Sequence, residues 1–285
     1  QPYVVSPVYI DYSEYDRWHR KGLSGALLRP FSSTRIEYIK TLGRAIKGND
    51  RLPGFEYLWK GQEKSIRKIL AGAACILPNS SLELEQIRLL GIHQSAWIIP
   101  NGIDNRVFGM RDNEKEKDLV LCAARIEGIK NQLNLIRALN HCGKQVVLAG
   151  AATPNQQSYF QQCKKEAADN IIFTGRLDQA ALSRYYDRAR VHVLPSWFET
   201  CGLSSLEAAA MGCNIVITAK GYTRDYFGED AFYCDPGDPA SIWEAVMKAA
   251  AAPVPSHLSE KIRDQYTWER AAAMTLSAYQ TVLHT

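Results

Sequence analysis

The chain has 285 residues, 46% of them hydrophobic and 22% charged, a composition typical of globular proteins and a length sufficient for two ordinary domains. It contains no run of 18 apolar residues, so no membrane-spanning helix is expected. Its first residues show no basic segment followed by an apolar one, which argues against a signal peptide. Seven cysteines without a C-x-x-C pair favour reduced thiols and a cytoplasmic protein over a disulfide framework or a zinc site.

Positive charge is concentrated in the first quarter of the chain. Residues 1–75 contain 13 Lys or Arg and 7 Asp or Glu, a balance of +6 within a total of +4, so the remaining residues sum to −2. Aromatic residues such as Trp18 and Trp59 accompany this charge. The combination suits peripheral contact with an anionic membrane, at its inner face, or with a phosphate-bearing molecule. The alternative is a solvated charged surface over an ordinary core. Nucleic acid is not expected as a partner, because no nucleic-acid-binding motif is present.

The first hundred residues alternate between short apolar runs and helical patterns. The run 3–10 is expected to be a buried strand, and an apolar run that ends at Pro78 indicates a parallel strand. Residues 79–81 with Glu83 predict the cap and first turn of a helix. Predicted strands cover 3–10, 74–78 and 96–99, and predicted helices cover 33–47, 62–74 and 82–90. So few strands, without a glycine-rich first turn, indicate a truncated Rossmann-like domain that lacks a stretch before Gln1.

A polar segment without periodicity, residues 105–118, marks a domain boundary after residue 104. Beyond it, strands alternate regularly with helices, which predicts βαβ units and a doubly wound parallel sheet. Strands are predicted at 119–124, 145–149, 171–173, 191–194, 214–218 and 231–234, and helices at about 131–141, 155–168, 179–188, 203–211, 239–251 and 257–264. We therefore expect a partial domain over 1–104, a second Rossmann-like domain over 105–266 and a helix over 267–285 that crosses back to the first.

The segment 194–208, LPSWFETCGLSSLEA, carries the strongest chemical signal. A strand ends at Pro195, a loop holds Glu199, and a helix begins near Gly202. Backbone N–H groups of residues 201–204 would face the carboxyl end of the sheet, where open α/β sheets bind ligands. Gly202 would let an anion approach the backbone closely, so the segment predicts a diphosphate site with its own partial positive charge.

Two carboxylates, Glu199 and Glu207, would lie on either side of this anion site. The helix that carries Glu207 is expected to be mostly buried, where an unpaired carboxylate is costly, so a hydroxyl or cation partner is expected. Each carboxylate could accept hydrogen bonds from hydroxyls on one side of a diphosphate, such as the ribose and the sugar of a nucleotide sugar. Cys201 stands at the helix N-terminus, which is expected to lower the pKa of its thiol. A backbone role is favoured there over a nucleophile.

A pair of cations forms the second signal. Arg125 is expected at the end of the first strand of the second domain, and Lys130 at the start of the following helix. Both would face the same edge of the sheet as Gly202, where they suit a diphosphate and would neutralise the charge on a departing nucleotide. Read one at a time, they could equally be a strand-end cation and a helix-surface lysine.

Together these motifs resemble a known family. The R-x4-K pair, the E-x7-E segment and the turn at 100–104 (PNGID) are similar to those of the retaining GT-B glycosyltransferases of the family-4 type, also called glycosyl transferases group 1. The resemblance is strongest over roughly 97–218 and vague over 1–61. It implies two Rossmann-like domains that face each other across a cleft, with the last helix bridging back.

The resemblance also implies roles for individual residues. Arg125 and Lys130 would contact the donor diphosphate, and Glu207 would hold the ribose. Glu199, with the backbone at Thr200, Cys201, Gly202 and Leu203, would hold the donor sugar and phosphates, and Gly175, Arg176 and Leu177 would frame the base. Glu199, Arg125 and Lys130 form the expected catalytic set.

Two departures from the family pattern concern the first domain. Its glycine loop is absent, and a histidine often found after an early strand is replaced by the Tyr9–Asp11 region, where Asp11 or Tyr12 could substitute. No D-x-D pair is present for a divalent cation. The two cations of the second domain would serve instead, so we expect no metal and no cofactor besides the donor itself.

The expected activity is transfer of a hexosyl unit from a nucleoside-diphosphate sugar to an acceptor hydroxyl with retention, in glycan or polysaccharide biosynthesis. The acceptor would be a glycan, a lipid-linked glycan or another hydroxyl compound. One alternative is a phosphorylase or a sugar-nucleotide epimerase on the same fold. Another is a nucleotide-sugar-binding module without complete catalytic machinery. A dinucleotide-dependent oxidoreductase is improbable because no G-x-G-x-x-G motif occurs.

Overall fold

A computed structural model describes residues 2–10, 38–39, 41–43, 55–109 and 114–284. The chain divides into two compact units, one formed by Gln1–Ile99 with Thr275–Thr285 and the other by Pro100–Met274. This division falls a few residues before the boundary predicted from the sequence. Within the described ranges, no helix combines the length and the apolar character needed to cross a bilayer.

The first unit is built on two short parallel strands. Its elements are β1 (Val4–Val5), α1 (Phe55–Ala71), β2 (Cys75–Ile76) and α2 (Ser81–Leu89). Val4 pairs with Cys75 and Val5 with Ile76, and Ala96 adds a single parallel bridge to Ile76. The buried residues of its small core are Leu70, Ala73, Ile76, Ile87 and Ile92.

All three predicted strands of this unit are shorter than expected, and the one predicted over 74–78 comprises only Cys75 and Ile76. The strand predicted over 3–10 comprises only Val4 and Val5, because Pro7 has no N–H with which to continue a ladder. Nor is this segment buried throughout, since Val8 is 61% exposed. The strand predicted over 96–99 is reduced to the single bridge at Ala96.

The predicted helix cap is confirmed. Ser80 is the N-cap of α2, and its Oγ accepts a hydrogen bond from the Glu83 backbone N–H at 3.0 Å. The helix predicted over 62–74 ends earlier, at Ala71, and α1 extends back to Phe55 across a kink at Gly61, where φ is 76°. Of the helix predicted over 33–47, residues 38, 39 and 41–43 are helical, and the others lie outside the described residues.

The second unit contains the six parallel strands that the sequence predicts. Its strands are β3 (Glu116–Ala123), β4 (Gln145–Ala149), β5 (Ile171–Gly175), β6 (Ala189–Leu194), β7 (Asn214–Thr218) and β8 (Phe232–Cys234). Its helices are α3 (Gln132–Leu139), α4 (Gln157–Glu166), α5 (Gln179–Arg188), α6 (Leu203–Ala210), α7 (Thr223–Phe227), α8 (Pro239–Ala251) and α9 (Ser256–Gln265), and 3-10 turns cover Gly128–Lys130 and Pro154–Gln156. The last helix, α10 (Trp268–His284), begins in this unit, and its residues from Thr275 onward belong to the first unit. The short helix α7 is the one the periodicity missed.

The strand order reverses in the middle of this sheet. The order is β5-β4-β3-β6-β7-β8, and every neighbouring pair is parallel. Successive connections therefore run outward in opposite directions from β3 and β6. Open α/β sheets bind ligands at such a switch point, beyond the carboxyl ends of the two central strands.

Both faces of the central part of the sheet are covered, because successive side chains of its strands enter different cores. Along β3, Leu119 and Leu121 lie in one cluster and Val120 in the other. Helices α5, α6 and α9 contribute to the first cluster, and α3, α4 and α8 to the second. Burial on both faces explains why the strand segments of the sequence are almost continuously apolar. It also holds the strand ends in fixed positions.

The closed core can be tested with two isoleucines of the same sheet. Ile215→Ala should lower the free energy of unfolding by about 2–5 kcal/mol, because this fully buried side chain would leave a cavity. Ile172, on the outer strand β5, is 38% exposed, and Ile172→Ala should cost about 1 kcal/mol. Denaturant titration of both variants measures the difference, and equal losses would contradict the burial assigned to Ile215.

Candidate functional site

The loops after β3, β6 and β8 are fastened together at the carboxyl edge of the sheet by one side chain. Asn131 is 2% exposed, and its Nδ2 donates to the carbonyl oxygens of Pro195 at 3.0 Å and Pro236 at 2.7 Å. Its backbone has a left-handed φ of 61°, which asparagine tolerates better than most residues. Asn131 also starts α3, so the residue that follows Lys130 sets the spacing between the loops of the two central strands.

Lys130 and Glu199 meet at this edge. The Lys130 Nζ donates to the Glu199 Oε1 at 2.6 Å, and the carboxylate is almost completely buried. A charged hydrogen bond in a partly desolvated place is stronger than one in water. The structure thus brings together a predicted phosphate-binding cation and a predicted sugar-binding carboxylate that lie 69 residues apart in sequence.

The backbone of Glu199 is held by the loop after β7. The Glu199 N–H donates to Lys220 O at 3.1 Å, and the Tyr222 N–H donates to Glu199 O at 2.9 Å. Gly221 lies between them with a φ of 101°, and a Cβ on it would overlap the Glu199 carbonyl oxygen. A glycine is therefore required at 221 for this close approach.

The expected anion site at the start of α6 has the predicted local form. Gly202 is the N-cap of α6, with a left-handed φ of 67°. A helix leaves its first N–H groups without intrahelical acceptors, and here these belong to the residues after Gly202. Leu203 is exposed at the helix start and Thr200 is half-buried in the preceding loop. This end of α6 can accept a negatively charged group.

The expectation for Cys201 was wrong. Burial raises the pKa of its thiol to about 11, although a hydrogen bond donated by Asn101 Nδ2 to the Sγ at 3.2 Å acts in the opposite direction. The loss of solvation outweighs the field of the helix end, because the thiol lies inside the core cluster. Cys201 is a neutral buried side chain, which is consistent with a backbone role.

Arg125 has an exposed side chain just beyond β3, and its Nη2 lies 3.0 Å from the Glu127 Oε1. The Arg125 side chain is 67% exposed and that of Glu127 is 14% exposed. Water around the guanidinium weakens the ion pair, so this contact leaves the guanidinium able to turn toward a ligand. The Arg125 carbonyl oxygen accepts from the buried amide of Gln132 at 2.8 Å. The backbone of Arg125 is thus fixed while its charged end is not.

Glu207 lies inside α6, half-buried, with its Oε2 3.0 Å from the Tyr186 hydroxyl of α5. Loss of solvation raises the pKa of the Glu207 carboxyl to about 7, and the hydrogen bond from Tyr186 lowers it in part. A hydroxyl or cation partner was predicted for this carboxylate, and in the structure the partner is the Tyr186 hydroxyl.

The residues expected to frame a base lie at the end of β5 and just after it. Gly175 has a φ of 71°, and its carbonyl oxygen accepts from the Gly150 N–H at 2.9 Å. Arg176 is exposed, and Leu177 is partly buried against the core. These three residues stand at the same carboxyl edge of the sheet, on the β5 side of the switch point.

Three further features concern a buried histidine, the substitutes for a missing histidine and metal binding. His192 lies fully buried in β6, and burial lowers the pKa of its imidazole to about 3. Asp11 and Tyr12, proposed as substitutes for a missing histidine, lie outside the described residues. Within the described ranges, no three His, Cys, Asp or Glu side chains group closely enough to hold a metal ion. Independence from metal stays a prediction.

Sequence reasoning missed three residues that shape the site: Asn131, Tyr186 and Gly221. The first could have been suspected from its place next to Lys130. The other two carry no local signal, because each acts on a residue that is distant in the sequence.

Residues 117–251, a little under half of the chain, match the family model described as Glycosyl transferases group 1. A glycogen synthase of Mycobacterium tuberculosis is 28% identical over 196 residues, which cover 64% of this chain and 47% of that protein. The chain thus spans about half the length of this curated relative. The sequence similarity is to glycosyltransferases, and the family match falls within the second unit.

Solved structures with the same architecture are also glycosyltransferases. The sucrose-phosphate synthase from Thermosynechococcus elongatus has a TM-score of 0.70 at 21% identity, covering 80% of this chain and 65% of that one. Anabaena Alr3699/HepE in complex with UDP has a TM-score of 0.69 at 15% identity, covering 89% and 78%. At such identities the likeness concerns the fold. The predicted α/β fold with a parallel sheet is confirmed, and its structural neighbours are GT-B glycosyltransferases.

The contact between Gly221 and Glu199 gives the first site prediction. Gly221→Ala should destabilise the chain by at least about 2 kcal/mol, because a left-handed backbone strain is added to a steric clash. Gly143 is the matched control, since its φ of 77° is also positive but open space surrounds it. Gly143→Ala should cost about 1 kcal/mol. Chemical denaturation compares the two, and equal costs would argue that Gly221 does not support Glu199.

The raised pKa of Glu207, about 7 against an ordinary 4.5, predicts a pH dependence of stability. Between these two values the folded chain holds more protons than the unfolded chain, so stability must fall as pH rises through this window. The full effect is at most about 3 kcal/mol. Glu207→Gln has no such titration, so its unfolding temperature relative to the parent should be higher at pH 8 than at pH 5.

The exposed glutamate Glu260 of α9 provides the control for this experiment. Glu260→Gln should shift the unfolding temperature by a similar small amount at both pH values. A Glu207→Gln profile parallel to that of the control would contradict the raised pKa.

Proposed function

We propose that this chain is the donor-binding part of a glycosyltransferase that moves a hexosyl unit from a nucleoside-diphosphate sugar to an acceptor hydroxyl with retention of anomeric configuration. The observation that carries the proposal is the meeting of Lys130 and Glu199 at the switch point, next to the helix start at Gly202. A cation, helix N–H groups and a buried carboxylate there offer complementary partners for a diphosphate and a sugar.

The donor would bind along the carboxyl edge of the sheet. Lys130 and Arg125 would neutralise the diphosphate, together with the N–H groups at the start of α6. Glu199 would accept hydrogen bonds from sugar hydroxyls and Glu207 from ribose hydroxyls. The backbone of Gly175, Arg176 and Leu177 would face the base. The Anabaena protein with a similar fold was crystallised with UDP, which supports a nucleoside diphosphate as the ligand class.

In the proposed reaction, the bond between the anomeric carbon and the phosphate oxygen breaks, and the acceptor oxygen forms the new bond on the same face. The acceptor proton passes to the leaving phosphate oxygen. Negative charge grows on the diphosphate as the bond breaks, so fixed positive charge stabilises the transition state more than the bound donor. Lys130 and Arg125 supply this charge, which is why the proposal includes no metal ion.

The proposal also includes an acceptor class and a cellular location. A glycan, a lipid-linked glycan or another hydroxyl compound would be the acceptor, in glycan or polysaccharide biosynthesis. Seven free cysteines suit a reducing compartment such as the cytoplasm. The net charge of +6 over residues 1–75 supports contact with the inner face of an anionic membrane.

Binding of nucleotides tests the donor site. Thermal unfolding is measured with UDP, GDP, ADP and their hexose conjugates, with and without EDTA. One nucleotide should raise the unfolding temperature, and EDTA should not change the shift. Lys130→Met should weaken binding about tenfold or more, the loss expected for a charge-assisted contact. Lys117→Met, at the opposite end of β3, replaces an exposed lysine and should leave binding unchanged.

The same experiment shows how the proposal could fail. Absence of a shift with every nucleotide, or equal losses in the two lysine variants, would argue against the donor site. Where binding is established, release of nucleoside diphosphate from the hexose conjugate is measured with hydroxyl acceptors, and the anomeric form of the product is determined by NMR. Binding without transfer to any acceptor would favour a nucleotide-sugar-binding module.

A further inference from the structure

We propose that Tyr186 is a positioning residue for Glu207, and that this pair makes the donor site selective for ribonucleotides over deoxyribonucleotides. The inference rests on the proposed function, because it assumes that Glu207 faces the ribose. In the described part of the chain, the Tyr186 hydroxyl is the one hydrogen-bond partner of the Glu207 carboxylate, at 3.0 Å from Oε2. The other oxygen, Oε1, is left to accept from a ligand.

Tyr186 is held more rigidly than an ordinary hydrogen-bond donor. Its side chain is fully buried, and its ring makes edge contacts with Phe108, at 5.9 Å between centroids, and with His192, at 5.7 Å. Its carbonyl oxygen accepts from the buried Lys115 Nζ at 2.7 Å and from the Cys213 Sγ at 3.1 Å. A phenol fixed at both its ring and its backbone can hold a carboxylate in one direction without further loss of conformational entropy.

Helix α6 is anchored a second time, two residues before Glu207. The Ser205 Oγ lies 3.2 Å from the His192 Nδ1, and the Ala123 N–H donates to the Nε2 of the same ring at 3.4 Å. Since Nε2 accepts, the neutral imidazole carries its proton on Nδ1 and donates to Ser205. His192 therefore contacts both the ring of Tyr186 and the helix that carries Glu207, so these two residues share one rigid support in the core.

The arrangement has a consequence for recognition. A glutamate side chain has three rotatable bonds, and an unrestrained carboxylate would have to be ordered when a ligand binds. A carboxylate already fixed by Tyr186 would offer its free lone pairs to a ribose hydroxyl in one geometry. A 2′-deoxyribonucleotide lacks one of the two ribose hydroxyls and would leave the half-buried carboxylate with one partner fewer. The affinity ratio between the two nucleotides therefore measures how well Glu207 is positioned.

The test measures dissociation constants for UDP and 2′-deoxy-UDP by calorimetry, with the GDP and ADP pairs in parallel. The parent should prefer a ribonucleotide about tenfold or more. Tyr186→Phe removes one oxygen and no carbon, so the fold should survive, which the melting curve verifies. In this variant the preference should fall to about threefold or less, while the affinity for the deoxy form stays within about twofold of the parent. Tyr185→Phe, the adjacent half-buried tyrosine of α5, should keep the full preference.

A second pair of variants separates positioning from general damage. In a Glu207→Ala background, Tyr186→Phe should cause no further loss of preference, because the side-chain acceptor through which the tyrosine acts is absent. An unchanged preference in Tyr186→Phe would overturn the inference, and so would equal weakening of both nucleotides, which indicates a merely structural role. Failure of the proposed function looks different: the parent binds no nucleotide at all. A parent that binds both forms equally leaves the donor site standing and removes the role of Tyr186.

Discussion

The reversal of strand order between β3 and β6 is the constraint on which the candidate site depends. Connections leave these two strands in opposite directions, so the loops at their carboxyl ends diverge and leave backbone groups accessible. Asn131 fixes how far apart these loops stand, through its two bonds to the loops after β6 and β8. Lys130 precedes it directly and Glu199 follows in the β6 loop. Their ion pair is therefore a product of the sheet topology and not of any local preference of the two segments.

Burial then decides the chemical state of the side chains at this edge. Cys201 stands at a helix N-terminus, yet its pKa is raised because the thiol is removed from water. Glu207 shows the same effect to a smaller extent, since it remains half-buried and Tyr186 donates to it. Lys130 and Glu199 form an ion pair with each other. A bound diphosphate and sugar would offer new partners to both, so ligand binding would exchange one set of charge-assisted contacts for another.

Gly221 and Tyr186 explain how carboxylates at the carboxyl edge of the sheet are held in place. Glu199 depends on Gly221 for a backbone approach that a Cβ would prevent. Glu207 depends on Tyr186, which is fixed by rings and by Lys115 from inside the core. Groups that are proposed to contact a ligand are in this way held by residues for which no ligand contact is proposed. Loss of such a residue would affect geometry at the site before it affects the fold as a whole.

The sequence by itself determined the six parallel strands of the second unit, the start of α6 at Gly202 and the cap at Ser80, because periodicity and capping are properties of neighbouring residues. It also placed Arg125 at the end of a strand, Lys130 at the start of the following helix and Glu199 in a loop after a strand. It overestimated the strand at 3–10, where Pro7 interrupts the ladder, and it misjudged the thiol of Cys201. Only the tertiary structure decided the partners Tyr186 and Gly221 and the pKa of Glu207. The two contacts depend on packing between residues that are far apart in the chain, and the pKa depends on how much solvent that packing removes. Neither quantity can be derived from the local sequence pattern.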